Sequence, residues 1–330
     1  MEQRQVGRSG LQVSALGLGC NNFGGRLDRE ASIRVIHAAL DLGVTLLDTA
    51  DVYPMGNQGS SEALIGEALA GRRGEVVLAT KFGMAMDDSG RRQGGSRRYI
   101  MEEVEASLTR LRTDWIDLYQ FHRPDPKTPI EETVRALDDL IRAGKVRYVG
   151  CSNFAGWQTV EALWVARELG ANAFVCSQEE YSLVVRDIEA EVIPALEAYG
   201  LGLLPFFPLA SGLLTGKYRP GAAPNDARLA YTKPLADRFL SERNVALAEK
   251  LRGFAEARGH SLLDLAFAWL LAQKTVPSVI AGASTAEQLA ANAEAVTWAL
   301  TAEELAEVDR ITAEAARPRT IPGRALAGGG

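Results

Sequence analysis

Apolar positions along the chain alternate between two patterns: a short unbroken apolar run, then a longer stretch with apolar residues every three or four positions. The run LGLG (16–19) reads as a strand. The stretch after it, 27–43, predicts a helix with Ile33, Ile36 and Leu40 on one face, capped by Asp28 and stopped by Gly43. The same pair recurs as GVTLLD with SSEALIGEALAG (ending at Gly71), VVLATK with SRRYIMEEVEASLTRLRT, WIDLYQFH with TPIEETVRALDDLIRAG, VRYVGCS with GWQTVEALWVARELG, and AFVCSQ with RDIEAEVIPALEAYG. LGLLPFF is followed by a polar insertion with Pro220, Pro224 and Pro234, then by helices near 241–258 and 261–273. VPSVIAG and STAEQLAANAEAV close the series.

Local signals sharpen some boundaries. Ile100, Val104, Leu108 and Leu111 line one face of the third helix. Thr128 is expected to cap the fourth, with Pro129 at its first position and Glu131 completing a capping box. Thr301 and Glu304 form a second box before the last helix. Ahead of the first strand, RQVGRSGLQVSAL predicts a hairpin turning at Ser9-Gly10. The glycines at the C-terminus predict a flexible tail over about 318–330.

Eight short apolar strands alternating with helices predict an α/β fold with strands buried on both faces. An open doubly wound sheet carries a dinucleotide fingerprint after its first strand, and GLGCNN lacks the third glycine. The pattern therefore predicts a (β/α)8 TIM barrel with an N-terminal β-hairpin and extra C-terminal helices, forming one domain over residues 1–330.

In such a barrel the C-terminal strand ends carry the chemistry. They deliver Asp48 and then Tyr53, Lys81, His122, Ser152 and Asn153, Gln178 and Tyr181, Phe206, and Gly282 to Ser284. Singly, each has an ordinary structural reading as a turn residue, a solvated strand end or a core histidine. Together they suggest proton transfer to a carbonyl oxygen. A buried lysine at the barrel mouth needs a carboxylate, and Asp48 is on the adjacent strand. Lys81 is expected to lower the Tyr53 pKa, making the phenol a usable general acid and base. A neutral His122 can donate a hydrogen bond to the substrate oxygen.

The motifs DTADVY, LATKFG, LYQFHRPD, GCSNF, SQEEYSLVVR and PLASGLLTGKY, in this order, resemble the aldo-keto reductase superfamily over nearly the whole chain. The resemblance implies a nicotinamide cofactor, NADP(H) with NAD(H) also possible, and catalytic roles for Asp48, Tyr53, Lys81 and His122. It places Ser152, Asn153 and Gln178 on the nicotinamide carboxamide and Phe206 against its ring. Leu209, Ser211, Gly212, Lys217 and Arg228 match the pyrophosphate and ribose region. Gly19, Cys20, Asn21, Phe207, Pro208 and Ala210 join the cofactor set, with Gly282, Ser284, Gln288 and Asn292 at the adenosine end. Relatives that select NADPH often hold its 2′-phosphate with Lys or Arg at this end, where Ser284, Gln288 and Asn292 are neutral. Ser284 also has an ordinary reading as a helix cap with Glu287. The expected activity is reduction of small-molecule aldehydes or ketones to alcohols. The alternatives are a polyol or sugar dehydrogenase working by oxidation, and a non-catalytic NADP-binding regulatory subunit. The short segment before the barrel speaks against the last.

The mouth is expected to include Asn21, Asn22, Phe23 and Met84. Residues 87–98, DDSGRRQGGSRR, would favour anionic or sugar-like substrates if they faced it. Pro54 restricts the backbone of Tyr53 to extended conformations. The net charge of −6 and the absence of a basic run exclude a nucleic-acid surface. Cys20, Cys151 and Cys176 match no metal-ligand spacing, and His37, His122 and His260 offer no histidine metal site. Without an apolar leader or an apolar run long enough for a span, the chain is expected in the cytoplasm with no membrane partner. Its oligomeric state leaves no sign in the sequence.

Overall fold

The computed structural model describes residues 1–218, 229 and 232–313. Pro220, Pro224, Arg228 and the expected tail at 318–330 lie outside the described residues.

Two short strands, β1 (Gln3–Gln5) and β2 (Gln12–Ser14), form an antiparallel hairpin with Gln3 opposite Ser14. Its turn closes earlier than expected: Ser9 N donates to Val6 O at 3.1 Å, and Val6 N donates to Leu11 O at 2.9 Å. The cause is tertiary. Arg8 N donates to Gly200 O at 2.9 Å, and Gly7 lies so close that an added Cβ would stand 2.6 Å from that oxygen, at φ +55°. Only glycine fits there, so the turn forms around Gly7 and not at Ser9-Gly10.

Eight parallel strands follow: β3 (Leu16–Gly19), β4 (Leu46–Asp48), β5 (Val77–Phe82), β6 (Ile116–Phe121), β7 (Val146–Ser152), β8 (Cys176–Glu180), β9 (Gly202–Phe206) and β10 (Val279–Ala281). Their order is β10-β3-β4-β5-β6-β7-β8-β9. Leu203 N in β9 donates to Thr275 O, just ahead of β10, at 2.7 Å, which brings the two ends of the sheet together. The result is a (β/α)8 barrel.

Helices α1 (Arg29–Asp41), α2 (Ser60–Ala68), α3 (Arg97–Leu111), α4 (Ile130–Arg142), α5 (Gly156–Leu169) and α6 (Val192–Tyr199) alternate with the strands. After β9 come α7 (Lys233–Phe239, with Pro234 in its first turn), α8 (Glu242–Glu256) and α9 (Leu262–Leu271). Helices α10 (Ala286–Ala295) and α11 (Ala302–Thr312) follow β10. Asp28 caps α1 and the Thr301–Glu304 box caps α11, as expected.

Two helix starts differ from expectation. Pro129 is the N-cap of α4, because the Thr128 hydroxyl donates to Asp125 Oδ2 at 2.7 Å and is not available to the helix. The segment 186–200 is also not one helix. A 3-10 turn (Asp187–Ala190) and α6 are separated at Glu191. A continuous helix would drive the Pro194 ring into the Ala190 carbonyl and leave that carbonyl without a donor.

Inside the barrel, Val6, Leu11 and Val13 of the hairpin segment pack with Leu46, Ala79, Leu118, Cys176, Leu204 and Ile280 from six strands. This apolar floor sets the phase of everything above it. Strand side chains alternate in direction with period two. Two residues above Leu46, Ala79, Leu118, Cys176, Leu204 and Ile280 stand Asp48, Lys81, Gln120, Gln178, Phe206 and Gly282. The barrel turns polar one layer above its floor.

Candidate active site

Lys81 is fully buried and Asp48 is 4% exposed. Lys81 Nζ donates to Asp48 Oδ2 at 2.7 Å and to Thr49 O at 2.8 Å. The other carboxylate oxygen, Asp48 Oδ1, accepts Gln178 Nε2 at 2.8 Å and Gln120 Nε2 at 3.2 Å. Burial pulls the Lys81 pKa down, but the Asp48 charge and hydrogen bond, with Tyr53, together outweigh it and the net shift is upward. The ammonium is therefore retained inside the barrel.

The chain leaving β4 stays bonded to β5 before it turns: Thr49 N donates to Ala79 O at 2.9 Å and Asp51 N to Lys81 O at 3.1 Å. The turn closes with Tyr53 N on Ala50 O at 3.1 Å. This path spends the residues between Asp48 and Tyr53 and brings the phenol back over the lysine. Lys81 Nζ lies 5.2 Å from the centroid of the Tyr53 ring. His122 meets the same ring edge-on, with centroids 5.7 Å apart and planes at 87°. The Tyr53–Pro54 peptide is cis.

Electrostatics at the tyrosine differ from the sequence expectation. Lys81 does pull the Tyr53 pKa down, but burial pushes it up by more, and Asp48 and Asp51 add to the rise. The net direction is upward, so Tyr53 holds its proton firmly. Sequence shows the cation but not the burial. His122 is driven well below its ordinary pKa, first by burial and then by the charges of Lys81 and Arg123, and so it is neutral. Its Nδ1 is buried without a hydrogen-bond partner among the described residues.

These groups face a cavity of about 780 Å³. Its wall includes Gly19, Cys20, Asn21, Asp48, Tyr53 and His122; Ser152, Asn153 and Gln178; Phe206, Phe207, Pro208 and Leu209; Ser211, Gly212 and Lys217; and Gly282, Ser284, Gln288 and Asn292. Lys81 is not on the wall; it lies beneath, bonded to Asp48. Ala210 is buried off the wall, and Phe23 packs fully in the core instead of at the mouth. From the segment after β5 the wall takes Met84 and no residue of 87–98; Arg92 pairs with Glu103 and Asp87, Arg97 with Asp139 and Arg98 with Glu102.

Ser152 Oγ donates to Gln178 O at 2.7 Å, and Asn153 Nδ2 donates to His122 O and to Ser152 Oγ, both at 3.0 Å. The amide nitrogens of Asn153 and Gln178 are thus spent within the protein. Phe207, Ala210 and Ser211 adopt positive φ in the segment after β9, an unfavourable conformation for side chains other than glycine that concentrates at ligand sites. Ser211 Oγ is buried and has no partner among the described residues. Thr285, and not Ser284, caps α10; Gln288 Oε1 instead accepts Ser284 N at 2.8 Å.

Several wall residues escaped the sequence reading: Arg26, Met55, Arg123, Thr215, Leu263 and Ala291. Gln120, a ligand of Asp48, was also passed over, although it sits two residues before His122 on the same strand face.

The model of the Aldo/keto reductase family matches residues 15–313. The chain belongs to the aldo/keto reductase family. It is 39% identical over 306 residues to a probable voltage-gated potassium channel subunit beta of Oryza sativa subsp. japonica, covering 90% of this chain and 91% of that one. It is 38% identical over 312 residues to the uncharacterized oxidoreductase YrpG of Bacillus subtilis (strain 168), covering 92% and 93%. It is 35% identical over 324 residues to the L-glyceraldehyde 3-phosphate reductase of Escherichia coli (strain K12), covering 95% and 93%. Family membership makes the protein an oxidoreductase acting on carbonyl groups, in a family that generally binds NAD(P)H.

Proposed function

We propose that this protein reduces aldehyde or ketone groups of small molecules to alcohols, reversibly, with NADPH as the hydride donor. The observation that carries the reading is the stack of Asp48, Lys81 and Tyr53 beneath a neutral His122 at one end of a single cavity.

The cavity suits a nicotinamide cofactor. Ser211 Oγ and His122 Nδ1 are buried polar atoms lacking partners among the described residues. At Gly282 an added Cβ would meet nothing nearer than 3.8 Å, so the backbone there is open to a close approach. Ser152, Asn153 and Gln178 would hold the carboxamide through their remaining oxygens, and Phe206 would flank the ring. Ser211, Gly212 and Lys217 would take the pyrophosphate, and Ser284, Gln288 and Asn292 the adenosine end. These last three are neutral, so NADH serves as a weaker second donor. Bound there, the cofactor supplies the hydride.

The protein's own residues handle the proton. Tyr53 OH gives it to the carbonyl oxygen as charge develops there, and takes it back in the oxidative direction. Lys81 stabilises the phenolate left behind, and Asp48 holds Lys81 in place. His122 donates a hydrogen bond to the same oxygen and orients it.

Tyr53→Phe tests this. With a panel of aldehydes, ketones and sugar alcohols, followed through absorbance of the reduced cofactor, the variant should lose about a thousand-fold in kcat while still binding NADPH. Near-full activity would overturn the mechanism. A subunit role, as named for the rice relative, is the reading left if the wild type turns over no member of the panel.

A further inference from the structure

The described cavity wall includes three cationic side chains, Arg26, Arg123 and Lys217. Lys217 belongs to the segment after β9, where a Cβ on Gly212 would stand 3.2 Å from its Cε. The two arginines sit at the reacting end. Arg123 follows His122 directly, and its charge acts on both Tyr53 and His122. Arg26 follows Gly25, which abuts Pro54 so closely that an added Cβ would be 3.0 Å from the proline ring. Asn57 Nδ2 also donates to Gly24 O at 2.9 Å. The loop after β3 and the loop after β4 are thus held together, and Arg26 shares a rim with Tyr53. Met55 and Met84 complete that part of the wall.

An exposed arginine is ordinarily one half of an ion pair or a solvated surface charge. Asp125, two residues on, would be the ordinary partner for Arg123. Its oxygens instead accept Gly95 N, Lys127 N and Thr128 Oγ1. Among the described residues Arg123 makes no hydrogen bond or ion pair. A free guanidinium beside the reacting groups is a ready fork for a phosphate or a carboxylate.

We propose that Arg123, with Arg26 on the wall of the same cavity, binds an anionic group, phosphate or carboxylate, carried by the carbonyl substrate. The inference rests on the carbonyl-reductase reading of Tyr53 and adds the class of substrate. It places selectivity in charge, with Met55 and Met84 lining the neutral part of the chain between anion and carbonyl.

The test compares wild type, Arg123→Gln, Arg123→Lys and Arg26→Gln on matched aldehydes: glyceraldehyde 3-phosphate against glyceraldehyde, and succinic semialdehyde against butanal. Wild type should prefer the charged member of at least one pair, through KM more than kcat. The pair with the larger preference identifies phosphate or carboxylate as the source. Arg123→Gln should cut that preference about ten-fold or more, and Arg123→Lys should restore part of it. Raising the ionic strength should shrink it in wild type. Equal kcat/KM for charged and neutral members in wild type overturns the inference, as does a preference left intact by both glutamine variants. Should no aldehyde be turned over, the reductase reading fails, and calorimetric titration with glycerol 3-phosphate and 4-hydroxybutyrate decides the anion site alone. Affinity about ten-fold weaker in Arg123→Gln supports it, and equal affinity overturns it.

Discussion

Lys81 and Thr80 are neighbours on β5 and point to opposite sides of the barrel wall. Lys81 points inward to Asp48. Thr80 points outward, where its hydroxyl donates to Glu62 Oε1 at 2.6 Å. Glu62 is fully buried and shares Arg110 with the nearly buried Glu103, at 2.6 and 2.5 Å. Asp51 is also fully buried and, among the described residues, pairs with no cation: it accepts Val52 N at 2.7 Å and Tyr99 OH at 3.1 Å. Inside the barrel one carboxylate meets one ammonium and two amides. Outside it, carboxylates outnumber the cations within reach, and burial pushes the pKa of both Asp51 and Glu62 upward. Opposite charge keeps the inner pair electrically active against a ligand. The outer cluster instead joins α2, α3 and β5, and where no cation arrives a proton takes its place.

Breaking the inner pair should have the largest effect. Lys81→Met removes the cation beside Tyr53, and turnover should fall about a thousand-fold. It also leaves Asp48 unpaired. The double variant Asp48→Asn/Lys81→Met should therefore regain thermal stability over Lys81→Met without regaining activity. Recovery of turnover in the double variant would contradict the assignment.

Breaking the outer cluster should act on stability alone. Arg110→Met strands Glu62 and leaves Glu103 with Arg92 alone, and should cost about 3–5 kcal/mol in chemical denaturation. Activity per folded molecule should stay near wild type. Because a stranded carboxylate can take up a proton, the deficit should narrow toward acid pH.

The smallest effect sharpens the contrast. The folded-state pKa of Asp51 is raised, so its favourable contribution is complete below the unfolded pKa and is lost as pH rises through the folded one. Asparagine mimics the protonated acid. Asp51→Asn should equal or exceed wild-type stability at pH 8 by on the order of 1 kcal/mol, with no advantage below about pH 4. Lower stability at pH 8 would mean that Asp51 is held as a carboxylate.

The β/α repeat was legible because its strands are apolar throughout while its helices show one apolar face. Asp48, Lys81 and His122 stood out for the same reason, as polar residues at the ends of apolar runs. The start of α4 was not legible, since Asp125 competes for Thr128 from outside the helix. The break at Glu191 was missed as well, although Pro194 marks it. Thr80 and Lys81 look equivalent in sequence until the hairpin's apolar floor sets which face is inward. Leu263 and Ala291 on the cavity wall are indistinguishable from core residues, and Arg26 and Arg123 from solvated surface charge. The segment 87–98 looked like the basic rim and is not, because Arg92 folds back onto Glu103. A single-residue reading can find a charge but not its direction.

The hairpin floor has one more consequence, for traffic. Val6, Leu11 and Val13 close the barrel at the end opposite the cavity. A pocket sealed below takes in and releases its ligands on the loop side, past the C-terminal ends of the strands.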